Sequence, residues 1–218
     1  MEQTARREFP PVTKARIKNH FHYDWWRYLA LVAGAILLWN LLYNMTHYRS
    51  PENLKVELVY ETANMQSTDA LMNMAHEEAL SDMEEVTFIA GGYDETYGQM
   101  QLTVWAAAGT GDLYALPKER FKNFAESETF VDLQPYVDSG ELQLGDLDRS
   151  SGYVRLSETG ERILAGIPMD GLTWLNAYEL PVEGYYMSVL AKSGNEENTV
   201  RLMNWLLQKQ AKIDQAEE

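Results

Sequence analysis

Residues 28–48 contain no Asp, Glu, Lys or Arg, and this uncharged run constrains the fold more than any other feature of the chain. Its centre reads LALVAGAILLWNLLYNM. At ~1.5 Å per residue a helix of that length crosses most of a ~30 Å hydrocarbon layer. Trp25, Trp26 and Tyr28 stand at one end and Tyr43 and Tyr48 at the other, where interfacial aromatics belong. Ahead of the run, Arg6, Arg7, Lys14, Arg16, Lys18 and Arg27 face only Glu2, Glu8 and Asp24, so the first 27 residues are net +3. A basic flank stays on the cytoplasmic side. The sequence thus predicts a cytoplasmic basic segment at 1–24 and a transmembrane helix at 25–48, anchored in the lipid bilayer by Trp25, Trp26, Tyr28 and Tyr43. Everything beyond lies outside the plasma membrane, as in a single-pass protein.

An apolar run of this length also suits a cleaved signal peptide or a buried core helix. A cleaved signal peptide is disfavoured because Thr46-His47-Tyr48-Arg49-Ser50-Pro51 lacks the small-x-small pattern of a cleavage site. A buried core helix is disfavoured by the aromatic belts and the steep charge asymmetry. Asn40 and Asn44 interrupt the apolar run and are suited to bonding a partner helix, and Ala30 and Gly34 form a small-xxx-small pair.

The rest of the chain is acidic. Residues 49–218 carry 12 basic and 30 acidic side chains, a net of −18 within a whole-chain charge of −15. Such a surface repels polyphosphate, which excludes nucleic acid as a partner. There is no cysteine, so disulfides, thiolate metal sites and cysteine nucleophiles are excluded. With 45% hydrophobic residues the acidic part can still bury a core. It divides into a linker at 49–54, an α/β domain at 55–210 and an acidic tail at 211–218.

Strand and helix patterns alternate along this domain. Residues 55–60 alternate at period two and predict a strand; Ser67 or Thr68 then offers an N-cap to a helix bearing Leu71, Met74 and Leu80. Residues 86–90, nearly all apolar, predict a strand buried on both faces. Residues 94–108 predict a helix with Met100, Val104 and Ala107 on its buried stripe, 112–116 a third strand and 118–126 a short helix. This order predicts a parallel sheet covered by helices, with right-handed crossovers. Further on, 153–156 and 162–167 flank Glu158-Thr159-Gly160 as a β-hairpin, and 183–191 predict another strand. A helix then starts at Asn195 as N-cap, burying Val200, Met203, Leu206 and Leu207 with Trp205 at its edge.

Ala106-Ala107-Ala108-Gly109-Thr110-Gly111-Asp112-Leu113-Tyr114, then Phe121, then Phe130-Val131-Asp132-Leu133-Gln134-Pro135-Tyr136, resembles the extracellular solute-binding proteins of ABC importers, a periplasmic-binding-protein-like family. The stretch 163–169, containing GIPM, is similar to the strand entering that family's hinge, and 184–207 to the segment returning to its first lobe. The resemblance implies an α/β fold: one three-layer lobe following a single N-terminal transmembrane helix. It also implies transport-related binding with no cofactor. One departure bears on mechanism. The family closes two lobes on a ligand by hinge motion, and a second lobe needs roughly 100 residues. Here only residues 170–183 stand where it would be inserted, so a single lobe is expected.

Contact residues are expected at the carboxyl ends of the strands, where open α/β sheets place their binding loops. These are Glu61 and Thr62 after the first strand, Tyr93 after the second and Pro117 after the third. Trp174 and Tyr178 lie in the bridge replacing the second lobe, either stacking on a ligand or partner or capping the core.

Catalytic and metal patterns fail. His76-Glu77-Glu78 lacks a second His at position 80, which is Leu. Lys192-Ser193-Gly194 has no Ser-x-x-Lys to accompany it. Asp146, Asp148 and Ser150 have calcium-loop spacing, but the glycine and the twelfth residue are wrong. Gly109-Thr110-Gly111 precedes a strand, unlike a dinucleotide loop. His20, His22, His47 and His76 form no metal pattern. No enzyme is expected. Three functions remain: a membrane-anchored binding or interaction module serving a membrane-protein partner, the substrate-binding component of an importer whose pocket a transporter subunit completes around a small solute, and, least supported, a surface hydrolase.

Overall fold

The computed structural model describes residues 13–46, 48, 50–63, 68–94, 97–145 and 147–217. Arg6, Arg7, His47, Ser67 and Asp146, all named above, lie outside the described residues. The chain forms two compact units, Met1–Arg49 and Ser50–Glu218.

The first unit contains one 33-residue helix, α1 (Lys14–Thr46). Its segment His22–Thr46 is long and apolar enough to cross a membrane, and none of it is buried. The helix starts 11 residues ahead of the expected span, because nothing in the preceding basic stretch from Lys14 onward breaks it. Asn44 Nδ2 donates to Asn40 Oδ1 at 2.7 Å and to Asn40 O at 2.9 Å, so part of the amide demand is met one turn away within the helix.

The second unit is an α/β domain with a mixed five-stranded sheet whose strands stand in the order Glu85–Gly91, Lys55–Glu61, Leu113–Pro117, Tyr185–Val189 and Ile167–Pro168. The first half follows the predicted rhythm: β1 (Lys55–Glu61), α2 (Thr68–Ala79), β2 (Glu85–Gly91), α3 (Gly98–Ala108), β3 (Leu113–Pro117), α4 (Lys118–Glu126). Then come α5 (Gln134–Ser139), which the sequence reading missed, the hairpin β4 (Tyr153–Arg155) and β5 (Arg162–Leu164), β6 (Ile167–Pro168), β7 (Tyr185–Val189) and α6 (Glu196–Glu217). Residues 211–217, set apart as a tail in the sequence reading, continue α6.

Strand alternation sorts side chains into two cores. Val56, Leu58 and Tyr60 of β1, with Leu113 and Ala115 of β3 and Met187 and Val189 of β7, meet Leu71, Met72 and Ala75 of α2 and Val200, Met203 and Leu206 of α6. On the other face Val59, Tyr114, Leu116 and Tyr186 meet Leu102 and Ala106 of α3 and Phe121, Phe124 and Ala125 of α4. This gives three layers, with the period-two strands supplying both inner surfaces. At the amino end of β1 a polar clasp fixes β3: Glu57 N donates to Asp112 Oδ2 at 2.8 Å, and Gly111 N to Glu57 Oε2 at 3.0 Å. Burial pushes Asp112 up to about 6.

Several expectations are corrected. The sheet is parallel only through β2-β1-β3; β7 runs antiparallel to both β3 and β6. After α5 and the hairpin, the chain re-enters the sheet through β6 and returns as its antiparallel neighbour, which needs no crossover helix. β2 is an edge strand with intermediate burial along most of its length, so its apolar run does not mark a strand buried on both faces. Trp205 is 8% exposed, in the core rather than at its edge, with Nε1 donating to Glu78 Oε2 at 3.0 Å. Asn195 stands at the N-cap position of α6, its O accepting from Thr199 N at 3.1 Å, while its side chain works elsewhere: Nδ2 donates to Lys55 O at 2.6 Å and Oδ1 accepts from Asn198 Nδ2 at 2.8 Å.

The buried stripe of α3 is also different. Leu102 and Ala106 face the core, whereas Met100 is 65% and Val104 59% exposed. Both stripes are apolar, so periodicity within the helix cannot choose between them. Contact with the sheet does: Trp105 packs over Gly91, where an added Cβ would come within 2.5 Å of the indole ring.

Candidate functional site

Parallel pairing of β1 with β2 and β3 gathers their carboxyl ends. Glu61 lies opposite Gly91, and Tyr60 opposite Ala115. The antiparallel strand β7 contributes its first residue at the same end, where Pro117 pairs with Tyr185. α4 follows directly from β3, and α3 starts after the loop that leaves β2, with Gly98 packed against Gly92, so Arg120 and Gly98 are brought to this edge too.

The centre of the edge is an ion pair. Arg120 Nε lies 3.0 Å from Glu61 Oε1, with both side chains largely buried. Arg120 Nη2 also donates, at 3.4 Å, to Asp94 O in the loop between β2 and α3. One guanidinium therefore ties together the end of β1, α4 and that loop. Burial pushes Glu61 up to about 7, against the opposing pull of the Arg120 charge. Glu61 Oε2 and Arg120 Nη1 are buried with no hydrogen-bond partner among the described residues. A buried charge pair with unmet bonding capacity is costly to maintain, and such sites concentrate where a fold meets its ligands or partners.

Beside the pair the surface turns aromatic and apolar. Tyr93 is 62% exposed and Tyr97 69% exposed. Tyr97 and Met100 help line an open depression of about 390 Å³ with Asp94, Gly98, Gln101, Val104 and Trp105. Underneath, Tyr60 stacks between Phe88 and Tyr185, at ring separations of 5.9 and 5.6 Å, and Tyr185 Oη donates to Glu61 O at 3.0 Å. These contacts hold the end of β1 from below. Gly98 sets the height of the loop: a Cβ there would lie 2.0 Å from Gly92 O and 3.0 Å from Arg120 Nη1. Gly98→Ala should therefore cost about 1–3 kcal/mol by forced loop displacement. Urea unfolding would measure this, and hydrogen exchange should show the extra opening confined to residues 91–98.

The structure brings together four of the six contact candidates. Glu61 and Thr62 are buried at the end of β1, Tyr93 is on the adjacent loop, and Pro117 closes β3 and precedes α4. Trp174 and Tyr178 are elsewhere, in the short 3-10 turn Thr173–Tyr178. Trp174 meets Tyr178 and Trp205 edge-on at 5.9 and 5.7 Å and donates through Nε1 to Leu206 O at 3.3 Å. Trp174 packs on α6 and Tyr178 on Trp174, and both lie against the buried cluster, as the core-capping alternative has it. Sequence reasoning missed Arg120, Tyr97 and Tyr185. The one available signal was the position of Arg120 in the first turn of a helix directly after a strand.

The described residues contain no group of three His, Asp or Glu able to hold a metal. His76 Nε2 lies 2.9 Å from Met83 O, and Asp148 accepts from Ser150 N at 2.8 Å; both are local structural contacts. A wider groove of about 880 Å³ along α6 is lined in part by charges already paired, Lys209 with Glu78 and Arg201 with Asp82, each at 2.7 Å.

No protein-family model and no curated protein matches the chain. Among solved structures it is similar to a family 1 extracellular solute-binding protein from Alicyclobacillus acidocaldarius, with 17% identity and a TM-score of 0.40 over 55% of this chain and 29% of that one. It is also similar to an ABC substrate-binding protein from Listeria monocytogenes in complex with cycloalternan, with 21% identity and a TM-score of 0.33 over 44% and 23%. A third is MalX from Streptococcus pneumoniae in complex with maltopentaose, with 15% identity and a TM-score of 0.35 over 52% and 27%. The chain thus matches under a third of the length of each.

Proposed function

We propose that this chain is a non-enzymatic, membrane-anchored binding or interaction module, with one solute-binding-like α/β lobe held outside the plasma membrane by α1. The observation that carries the reading is the Glu61–Arg120 pair, buried at the carboxyl ends of three parallel strands with an oxygen and a nitrogen unbonded. The exposed Tyr93, Tyr97 and Met100 beside it supply apolar contact area. A protein partner covering this edge would exclude water from the aromatic rim and strengthen the attraction within the buried pair by lowering the local dielectric. Anchoring is supported by the apolar segment His22–Thr46, none of it buried, and by the basic residues ahead of it. The N-terminus is then cytoplasmic.

The alternative, a substrate-binding component of an importer, is favoured by the flat tyrosine faces at the rim, which suit a sugar or similar solute. A thermal-shift screen of residues 51–218 against sugars, oligopeptides and divalent cations separates the two. The interaction module predicts no saturable stabilisation, together with a specific crosslinked partner in native membranes. A solute receptor instead predicts a shift that saturates, equivalent to about 2.7 kcal/mol at 100 times Kd. Saturation by any small solute would overturn the first reading.

A further inference from the structure

The two asparagines of α1 lie on a single stripe with two of the small residues ahead of them, Ala30 and Ala33. Trp26, Ala30, Ala33, Leu37, Asn40 and Asn44 are spaced 4, 3, 4, 3 and 4, the interval at which two helices mesh in a left-handed pair. At 100° per residue all six fall within one narrow face. The opposite face carries Leu31, Ala35, Leu38 and Leu42, with Val32 and Trp39 beside them, all suited to lipid. Asp24 and Arg27, paired with each other at 3.0 Å, are off the stripe, so it carries no formal charge.

Hydrogen-bond accounting gives the stripe a direction. Within the helix Asn44 Nδ2 donates to Asn40 Oδ1, but Asn40 Nδ2 and Asn44 Oδ1 have no hydrogen bond among the described residues. In hydrocarbon, unmet amide donors and acceptors are costly. A side-chain amide is both donor and acceptor, so it complements a copy of itself. Two copies inserted with the same topology are parallel, and a two-fold axis then sets Asn40 against Asn40 and Asn44 against Asn44. Ala30 and Ala33 let the backbones approach closely enough for those bonds to form.

We infer that α1 associates with a second copy of this chain through the 26-30-33-37-40-44 stripe, with the Asn40 and Asn44 amides bonded across the pair. This rests on the membrane span proposed above. The acidic outer domains of two copies repel, but charges separated by more than ~8 Å are screened at physiological salt, so association is decided within the span.

The absence of cysteine permits a clean test. Ala33→Cys and Leu37→Cys on the stripe, and Leu31→Cys and Leu38→Cys opposite it, are each introduced singly into the full chain. The proteins are reconstituted in phosphatidylcholine vesicles, checked for resistance to carbonate extraction, and oxidised. The stripe positions should give several-fold more disulfide dimer than the opposite ones, since a bridge needs Cβ atoms within about 4.5 Å. Adding Asn40→Leu and Asn44→Leu should weaken self-association, measured by diluting protein with lipid, by about three- to tenfold. Extraction by carbonate would overturn the span and the stripe with it. Retention in the vesicles with equal or no crosslinking on the two faces would overturn the self-association alone.

Discussion

Replacing Arg120 with Met should lower the unfolding free energy of residues 50–218 by about 3–5 kcal/mol at pH 8, since it leaves the Glu61 carboxylate buried without its cation. The loss should shrink sharply at pH 5. Burial raises Glu61 from an ordinary 4.5 to about 7, so the folded protein binds this proton more tightly than the unfolded chain does. The resulting stabilisation is fully present below about 4.5 and is lost as pH rises through about 7. Over that window the native protein itself should lose up to about 3 kcal/mol from this group. At pH 5 Glu61 is protonated in both proteins, and only the packing of the Arg120 stem and its bond to Asp94 O separate them. Urea unfolding of both proteins at the two pH values measures the effect. An equal deficit at both would show that the ion pair is not what Arg120 contributes.

Phe121→Ala should cost about 3–5 kcal/mol at any pH between 5 and 8, through loss of buried ring surface and the cavity left behind. Phe121 is fully buried. It stacks on Tyr186 at 4.5 Å with an interplanar angle of 4°, and lies 6.4 Å from Phe130. Gly166 sits against the same ring, where an added Cβ would come within 2.6 Å. The phenylalanine that figures in the sequence resemblance thus joins α4 to β7 inside the core, with no part in the exposed edge. Phe121→Leu, which keeps most of the volume, should cost less than half as much. Denaturant midpoints with an unchanged m value would establish both. If the two substitutions cost the same, shape-specific ring stacking rather than volume would be the dominant contribution.

These two residues occupy the same helix, yet one was legible in the sequence and the other was not. Phe121 and Phe124 mark a helix face by their spacing, and the predicted helix at 118–126 coincides with α4. Arg120 immediately precedes them, and its place in the first turn of a helix after a strand says nothing of its pairing, because its partner Glu61 is 59 positions away. Sequence alone pointed to Glu61, Thr62, Tyr93 and Pro117 as strand-end residues. It could not show that Trp174 turns away to pack on α6, with Tyr178 against it, since the route of residues 170–184 depends on what they meet.

What the sequence determined by itself was set by interactions of short range. The uncharged run at 28–48, the period-two strand at 55–60, the Gly-bearing turn of the β4–β5 hairpin and the acidic character of the chain after the run are all read from the residues in place. Tertiary structure decided the rest: which of two apolar stripes of α3 is buried, that β7 runs antiparallel, that Trp205 is in the core, and that one guanidinium joins β1, α4 and the β2–α3 loop. Each of these compares surfaces distant in sequence. Their free energy depends on water being excluded between both partners at once, and no single segment carries that information.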